Sequence, residues 1–521
     1  MSITEVRNTD VWLMGIDMGA GSLKTMIVSS SGKVAGSASA DIATRSPQPR
    51  FSEQDPAEWW QALCTTVPLA LAQAGVSPDA IAAVSFSAGA HTPVLTDETG
   101  NVLRPAILWS DQRSGDQVRR LQEKHGARIL AVALNRPTAT WTMPQLLWLQ
   151  ENEPDVIKKT RRLYIAKDWL RAQLTGDWVT DGTEAVGTLL FDATRREWSQ
   201  ELCDMIGWDR ATLPPIVEPS SIVGHVTEHA ARQCGLRAGT PVVCGTSDTS
   251  IETFGAGSVH AGDGTIKLAT AGTVSVVAAQ PQVDPTLINY PLVVPGLWYT
   301  ISGTNSCASA HRWLRDAFFM QPGMDGSQAF QAMDEMAAAI APGAEGLLFH
   351  PYLQGERAPY WDPLLRADFV GLTFAHGRAH MVRALYEGIA FALRDVMEQF
   401  RALGIPIARA RIIGGGAHSA VWRQIVADIL NLDILLPRTV DASYGAALLA
   451  GVGVGAFANE QAAAACAEVI ATAEPDTQRV AYYDQLFALY KQAQAGLESV
   501  NHGLARLIAP TTSARTAEMV N

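Results

Sequence analysis

Cysteine is scarce in this chain: six residues in 521, at Cys64, Cys203, Cys234, Cys244, Cys307 and Cys466, none in a C-x-x-C pair. That excludes a disulfide framework and a thiolate zinc site, and suits reduced thiols. Clustered positive charge is missing as well. No Lys/Arg run exceeds two residues, and 40 Lys plus Arg against 52 Asp plus Glu give a formal charge of −12. A duplex nucleic acid or an anionic membrane surface is therefore excluded as a partner. No apolar run approaches the roughly 18–20 residues that span a bilayer. The opening MSITEVRNTDVW lacks the apolar segment of a secretory signal, so a cytoplasmic location is expected. Charged residues are only 18% and hydrophobic residues 47%, a balance that fills large cores and excludes disorder for the body of the chain. The length predicts two or more domains. Acidity does not bar an anionic substrate, because backbone N–H groups and a metal ion can hold a nucleotide.

The chain opens with strands expected at Val11–Ile16, Leu23–Val28 and from Val34, joined by tight Gly/Ser turns as an antiparallel meander. Asp55-Pro56-Ala57-Glu58 opens a helix: Asp55 can cap, Pro56 suits the first helical position, and Glu58 has the spacing of a capping box. Buried strands are expected at Ile81–Phe86 and Pro241–Gly245, and helices at Gln117–Lys124 and Pro144–Gln150. Past mid-chain the pattern recurs. Strands at Thr265–Thr270 and Val274–Ala278 flank a tight turn at Ala271-Gly272-Thr273, and a strand at Ala410–Ile413 leads through Gly414-Gly415-Gly416 into a helix at Ser419–Leu430. A final helix near Tyr483–Leu507 carries Tyr483, Leu486, Tyr490, Leu497 and Leu504 at helical spacing. Each half thus begins with a strand–glycine-turn–strand unit, which predicts two α/β lobes of similar architecture with the active site between them.

Several turns have both a functional and a structural reading. In Asp17-Met18-Gly19-Ala20-Gly21-Ser22 the glycines allow close approach to a phosphate and Asp17 could hold Mg²⁺, yet the same residues make an ordinary hairpin. Gly272-Thr273 could cradle further phosphates or simply turn. Gly414–Gly416 leave no side chain where a base and ribose could pack, at a cost in backbone entropy that an incidental connection does not justify. Asp248, in Gly245-Thr246-Ser247-Asp248-Thr249-Ser250, could accept a proton from a reacting alcohol; alternatively, Ser247 or Asp248 caps the helix. His91 could bond a polyol or keto oxygen or be a satisfied loop histidine. Trp109 could pack on a sugar while Asp111 and Arg113 bond hydroxyls, or stand buried beside an ion pair. The Tyr352–Pro363 loop, YLQGERAPYWDP, reads as structural, anchored by Glu356 and Arg357.

In this order the segments GIDMGAGSLK, FSEQDPAEWW, RPAILWSDQR, AKDWLRAQLTG, GTSDTSIETFGAG, YLQGERAPYWDP, HMVRALYEGIAFALRD and GGGAHSAVWRQIVADIL resemble the FGGY family of carbohydrate kinases, and within it the xylulokinase branch, from about Val11 to Leu507. The resemblance implies two lobes of the ribonuclease-H/actin-like ATPase fold with an inter-lobe cleft. The N-terminal lobe is expected over 1–250, the C-terminal lobe over 251–508, and a flexible tail over 509–521. It implies Asp248 as catalytic base and Asp17 as the Mg²⁺-associated acid of the first phosphate loop. ATP would engage Gly19, Ser22 and Lys24 of the first loop, Gly272 and Thr273 of the second, and Gly414, Gly415, Gly416 and Ser419 of the adenosine region. The sugar would meet Ala90, His91, Trp109, Asp248 and Thr249. Gly255 and Gly257 are the expected hinge positions.

The family pattern is departed from at three places: Ala20 stands for the usual Thr of the first loop, Gly89-Ala90-His91-Thr92 for Gln-Met-His-Gly, and Thr249 for Asn. The Arg-Glu pair of the glycerol kinase branch is absent. The expected activity is ATP- and Mg²⁺-dependent phosphorylation of a sugar terminal hydroxyl. D-xylulose, giving the 5-phosphate and ADP, is the first choice, with ribulose, L-xylulose or a polyol as alternatives, and homodimerisation is compatible with the family. An actin- or chaperone-like ATP switch is the reading from another class.

Overall fold

A computed structural model describes residues 11–320 and 325–508; the expected tail over 509–521 lies outside them. The described residues form two compact units that alternate along the chain. The first comprises residues up to Ala261 together with Val277–Thr300 and Pro437–Glu468, the second Gly262–Val276, Ile301–Leu436 and the segment from Val469. The first unit thus draws on two segments from beyond residue 250. The second is brought in by the Ala442–Gly453 helix, which crosses the first strand so closely that a Cβ on Gly15 would stand 1.8 Å from the Ser443 carbonyl oxygen.

The sheet of the first unit runs Ile222–His225, Pro241–Val243, Ile81–Ala88, Trp12–Met18, Ser22–Ser29, Val34–Asp41, with Thr246–Ser247 also pairing with Ile81–Ala88. Trp12–Met18 pairs antiparallel with Ser22–Ser29 and parallel with Ile81–Ala88. Its Leu13, Met14 and Ile16 are fully buried, as expected for a strand covered on both faces. The sheet of the second unit repeats this logic. Asp263–Leu268 pairs antiparallel with Gly272–Ala278 and parallel with Arg409–Ile413, which pairs parallel with Ile434–Pro437. The predicted recurrence of a strand–turn–strand unit is therefore present in both units, each with a parallel strand beside it that the pattern did not specify.

The local signals held with small changes. Asp55 caps the Pro56–Ala74 helix, accepting from the Ala57 N–H at 3.0 Å. Glu58 does not close a capping box; its carboxylate pairs with Arg45 instead. The turn expected at Ala271-Gly272-Thr273 falls earlier, because Gly272 and Thr273 already belong to the strand. The last helix spans Thr477–Ile508, and its buried face holds Tyr483, Leu486 and Tyr490 but continues through Gln494, Asn501 and Ala505, leaving Leu504 half exposed. Gly255 serves a helix crossing: a Cβ there would lie 2.9 Å from Gly445 Cα. All six cysteines are unpaired. No helix among the described residues is long and apolar enough to cross a membrane.

Candidate active site

The first glycine turn is fixed by its own backbone and by two polar side chains. Gly19 N–H donates to the Ser22 carbonyl (2.9 Å) and Ile42 N–H to that of Gly21 (2.9 Å). The Ala20 carbonyl accepts from Gln54 Nε2 (2.7 Å) and Thr44 Oγ1 (3.1 Å). Ala20 thus lacks a hydroxyl, but its loop is held by neighbours that no turn rule picks out. Gly19 and Ala20 line a small pocket with Gly89, Thr92 and Trp109. Trp109 is 43% exposed there, and a Cβ on Gly89 would press on its indole at 3.1 Å.

Strand register brings the two expected acids to one sheet end. Asp17 pairs with Ser87 across the parallel ladder, and on the other side of that strand Thr246 also pairs with Ser87. Gly245, at φ +77°, makes this possible; a Cβ there would lie 2.0 Å from the Phe86 carbonyl oxygen. Asp248 follows at the first position of the Asp248–Gly255 helix. Ser247 occupies the cap position without a side-chain capping bond, and Asp248 Oδ1 instead accepts from Thr249 N–H (2.6 Å) and Thr249 Oγ1 (3.2 Å). Asp17 accepts from Ser87 Oγ at 2.7 Å. Burial, with the charges of Asp248, Asp441 and Glu252 added, pushes Asp17 up to about 8. An acid held so high among other acids is a place where a divalent cation is electrostatically favoured, so Asp17 and its neighbours fit Mg²⁺. Lys24, expected on phosphate, has its ammonium 2.6 Å from Asp441 Oδ2.

His91 is a buried histidine with both ring nitrogens on protein partners. It adopts φ +70° and is 8% exposed. Nδ1 faces the Thr140 carbonyl oxygen (3.1 Å) and Nε2 the Tyr290 hydroxyl (2.6 Å). A carbonyl only accepts, so Nδ1 carries the proton and Nε2 accepts from Tyr290. Burial pushes the ring down to about 4, so it is neutral. Both nitrogens are therefore committed to protein partners, and the ring stacks on Trp141 at 4.3 Å within a series that continues through Tyr290 and Tyr299. Ala90 is half-buried beside it. Of the two readings of Asp111 and Arg113 the ion pair is present, although it is buried and Trp109 is the exposed member. They form a buried pair (2.8 Å), with Arg113 also on Glu53 (2.8 Å) and over the Phe51 ring.

Beneath the strand that leads to Asp248 lies an ionic cluster whose Lys167, Asp168, Arg171 and Asp181 are fully buried. Lys167 contacts Asp168 (2.6 Å) and Asp181 (3.2 Å); Arg171 contacts Asp168 (2.8 Å) and Asp177 (2.6 Å); both donate to the Cys244 carbonyl. The sequence marked this helix, with Asp168, by resemblance but not its pairing with Asp177, Asp181 and the Cys244 carbonyl, which lie outside the helix.

In the second unit a cavity of about 420 Å³ is lined by Gly415, Gly416 and Ser419 with Arg312, Phe330, Asp334 and Trp422. Gly414 needs its φ of +87°, and a Cβ on Gly416 would strike Trp422 at 2.8 Å, whereas nothing stands within 4 Å of one on Gly415. Ser419 caps the Ala420–Leu430 helix through Trp422 N–H (3.1 Å) and donates to Asp334 Oδ1 (2.8 Å). Gly272 is packed rather than open, with Thr304 and Cys307 against its Cβ position. Glu356 anchors its loop as expected, accepting from Thr304 Oγ1, Asn305 N–H (2.8 Å) and Arg357 N–H (2.6 Å). Sequence reasoning missed Asp441, Trp141, Tyr290 and Tyr299 in the first unit and Arg312, Phe330 and Asp334 in the second. Only Asp441, in the cap-like Asp441-Ala442-Ser443, had a local signal.

The profile of the N-terminal domain of the FGGY family of carbohydrate kinases matches residues 12–255, and that of its C-terminal domain residues 264–454. The chain belongs to the FGGY family of carbohydrate kinases. It is 33% identical over 499 residues to the xylulose kinase of Bacillus subtilis (strain 168), covering 95% of this chain and 98% of that one. It is 28% identical over 452 residues to the gluconokinase of the same organism, covering 85% and 87%. Among solved structures it is similar to the xylulose kinase from Rhodospirillum rubrum, with a TM-score of 0.87 at 28% identity over 94% of this chain and 100% of that one. The fold is thus the actin-like ATPase fold of the sugar kinases, and the chain is a carbohydrate kinase that takes ATP as a substrate.

Proposed function

We propose that the protein phosphorylates a ketopentose, D-xylulose first, on its terminal hydroxyl, with MgATP as donor and the 5-phosphate and ADP as products. The observation that carries this reading is the meeting of Asp248 and Asp17 at one sheet end beside the first glycine turn, in a chain similar to xylulose kinases over nearly its whole length. Asp248 orients the hydroxyl and accepts its proton as the oxygen attacks the γ-phosphorus. Thr249, donating twice to one Asp248 oxygen, fixes the plane of that carboxylate. Trp109 and Ala90 provide a wall for the sugar, and the neutral His91, with its ring nitrogens on Thr140 and Tyr290, anchors the chain next to Ala90. Asp17 would hold Mg²⁺, which when bound supplies positive charge to the phosphate oxygens. Gly415, Gly416 and Ser419 would receive the adenosine.

The test is ADP release across ketopentoses, aldoses, gluconate and polyols. Asp248→Asn is expected to lose about 10²- to 10⁴-fold in kcat while its Tm stays near that of the wild type. Near-wild-type turnover in that variant would refute the assignment of the base, and turnover on gluconate with none on any ketopentose would refute the substrate.

A further inference from the structure

The short Gly182–Gly187 helix contains a buried acid to which the phosphoryl transfer above assigns no part. Glu184 is fully buried, and neither of its carboxyl oxygens has a hydrogen-bond partner. Its helix is tied at both ends to the proposed site. At the start, Asp181 caps it through Thr183 N–H (3.0 Å) and also accepts from Thr246 Oγ1 (2.8 Å), two residues before Asp248. At the end, Gly187 abuts the His91 ring, so that a Cβ there would stand 2.6 Å from Cδ2. Glu184 lies three residues from each.

The groups that face Glu184 are mostly acidic or phenolic. They are Asp181, Lys167 and Asp168 of the Ala166–Thr175 helix, Asp248 of the Asp248–Gly255 helix, and the hydroxyls of Tyr290 and Tyr299. Lys167 is the one cation in this set, and it is already shared between Asp168 and Asp181. An unpartnered carboxylate in such surroundings neutralises itself by keeping its proton. Burial first, and the Asp181 charge second, push Glu184 well above its ordinary value. A protonated carboxyl donates as well as accepts, and orphaned buried oxygens are where proteins place ordered water.

We propose that Glu184 is a positioning residue of the phosphoryl-transfer site, a neutral hydrogen-bond donor that, through an ordered water, fixes the Asp248 end of the site against the His91 wall. The inference rests on the sugar-kinase reading above. Its logic is electrostatic: Asp248 must stay anionic to accept the hydroxyl proton, and a second anion behind it would raise its proton affinity and repel the phosphoryl group. A neutral acid orders the site without adding that charge.

The experiment compares the full-length wild type with Glu184→Gln and Glu184→Leu, in sugar-dependent ADP release, thermal unfolding and infrared difference spectroscopy. Gln, a neutral donor of the same shape, is expected to retain kcat within about threefold, and Leu to lower kcat about 10- to 100-fold, the loss of one buried hydrogen-bonding group. Leu is expected to keep or raise Tm, because it replaces an unpaired buried acid by an apolar side chain; a purely structural Glu184 would leave kcat untouched in that variant. The wild type at neutral pH is expected to show a protonated-carboxyl stretch that Glu184→Gln lacks. A Gln variant as slow as Leu, a Leu variant as fast as wild type, or no difference in the infrared band would each overturn the proposal. A wild type that phosphorylates no sugar would instead remove the substrate reading, and the infrared band would still decide the protonation of Glu184.

Discussion

Asp17→Asn is expected to make the ligand-free protein more stable and the enzyme inactive. Asp17 is raised from 3.8 to about 8 by burial, with Asp248, Asp441 and Glu252 adding to the effect. Its proton is therefore held in the folded state and given up in the unfolded state between those two values. The folded state binds more protons over that window, so stability falls as pH rises through it and levels off above about 8. Four units at about 1.4 kcal/mol each would be about 6 kcal/mol, and because Asp17 is only partly buried the expected penalty is about half of that, roughly 3 kcal/mol. Asn keeps the hydrogen bond to Ser87 but cannot ionise. Thermal unfolding from about pH 5 to about pH 9 should show the Asn variant gaining on the wild type as pH climbs. Mg²⁺ should stabilise the wild type, most at high pH, and leave the variant unmoved, while turnover is lost. A difference in Tm that is flat with pH, or a variant less stable throughout, would refute the electrostatic account of this site.

Two further substitutions probe the framework. Gly15→Ala puts a methyl 1.8 Å from the Ser443 carbonyl oxygen and 2.5 Å from Ala447 N. It should cost about 3 kcal/mol or more, since both atoms are backbone and cannot swing aside, and soluble yield with urea midpoint would show it. Lys167→Met strips the fully buried Asp168 and Asp181 of a shared cation and should cost about 3–5 kcal/mol, read in urea unfolding; an unchanged midpoint would mean that the cluster neutralises itself.

Much of the site was legible because its signals are local. Asp17 ends a strand and precedes two glycines; Asp248 follows a glycine at a strand-to-helix junction; Gly414–Gly416 precede a helix capped by Ser419. Backbone freedom, capping and strand alternation depend on neighbours in the chain, so residue order alone determined the strand–glycine-turn–strand unit that opens each half, while the parallel pairing of those strands came from the tertiary structure. Family resemblance added roles that spacing left open. Tertiary structure decided what those side chains touch. Both ring nitrogens of His91 are bonded within the protein, Nε2 by Tyr290, 199 residues away. Lys24, expected on phosphate, has its ammonium 2.6 Å from Asp441, 417 residues away, a neighbour no local pattern gives. The charge state of Asp17 and the isolation of Glu184 follow from burial and from carboxylates on distant segments. Long-range Coulomb and desolvation effects depend on the position of every charge and on the depth of the group, and neither quantity is encoded within a turn or a helix.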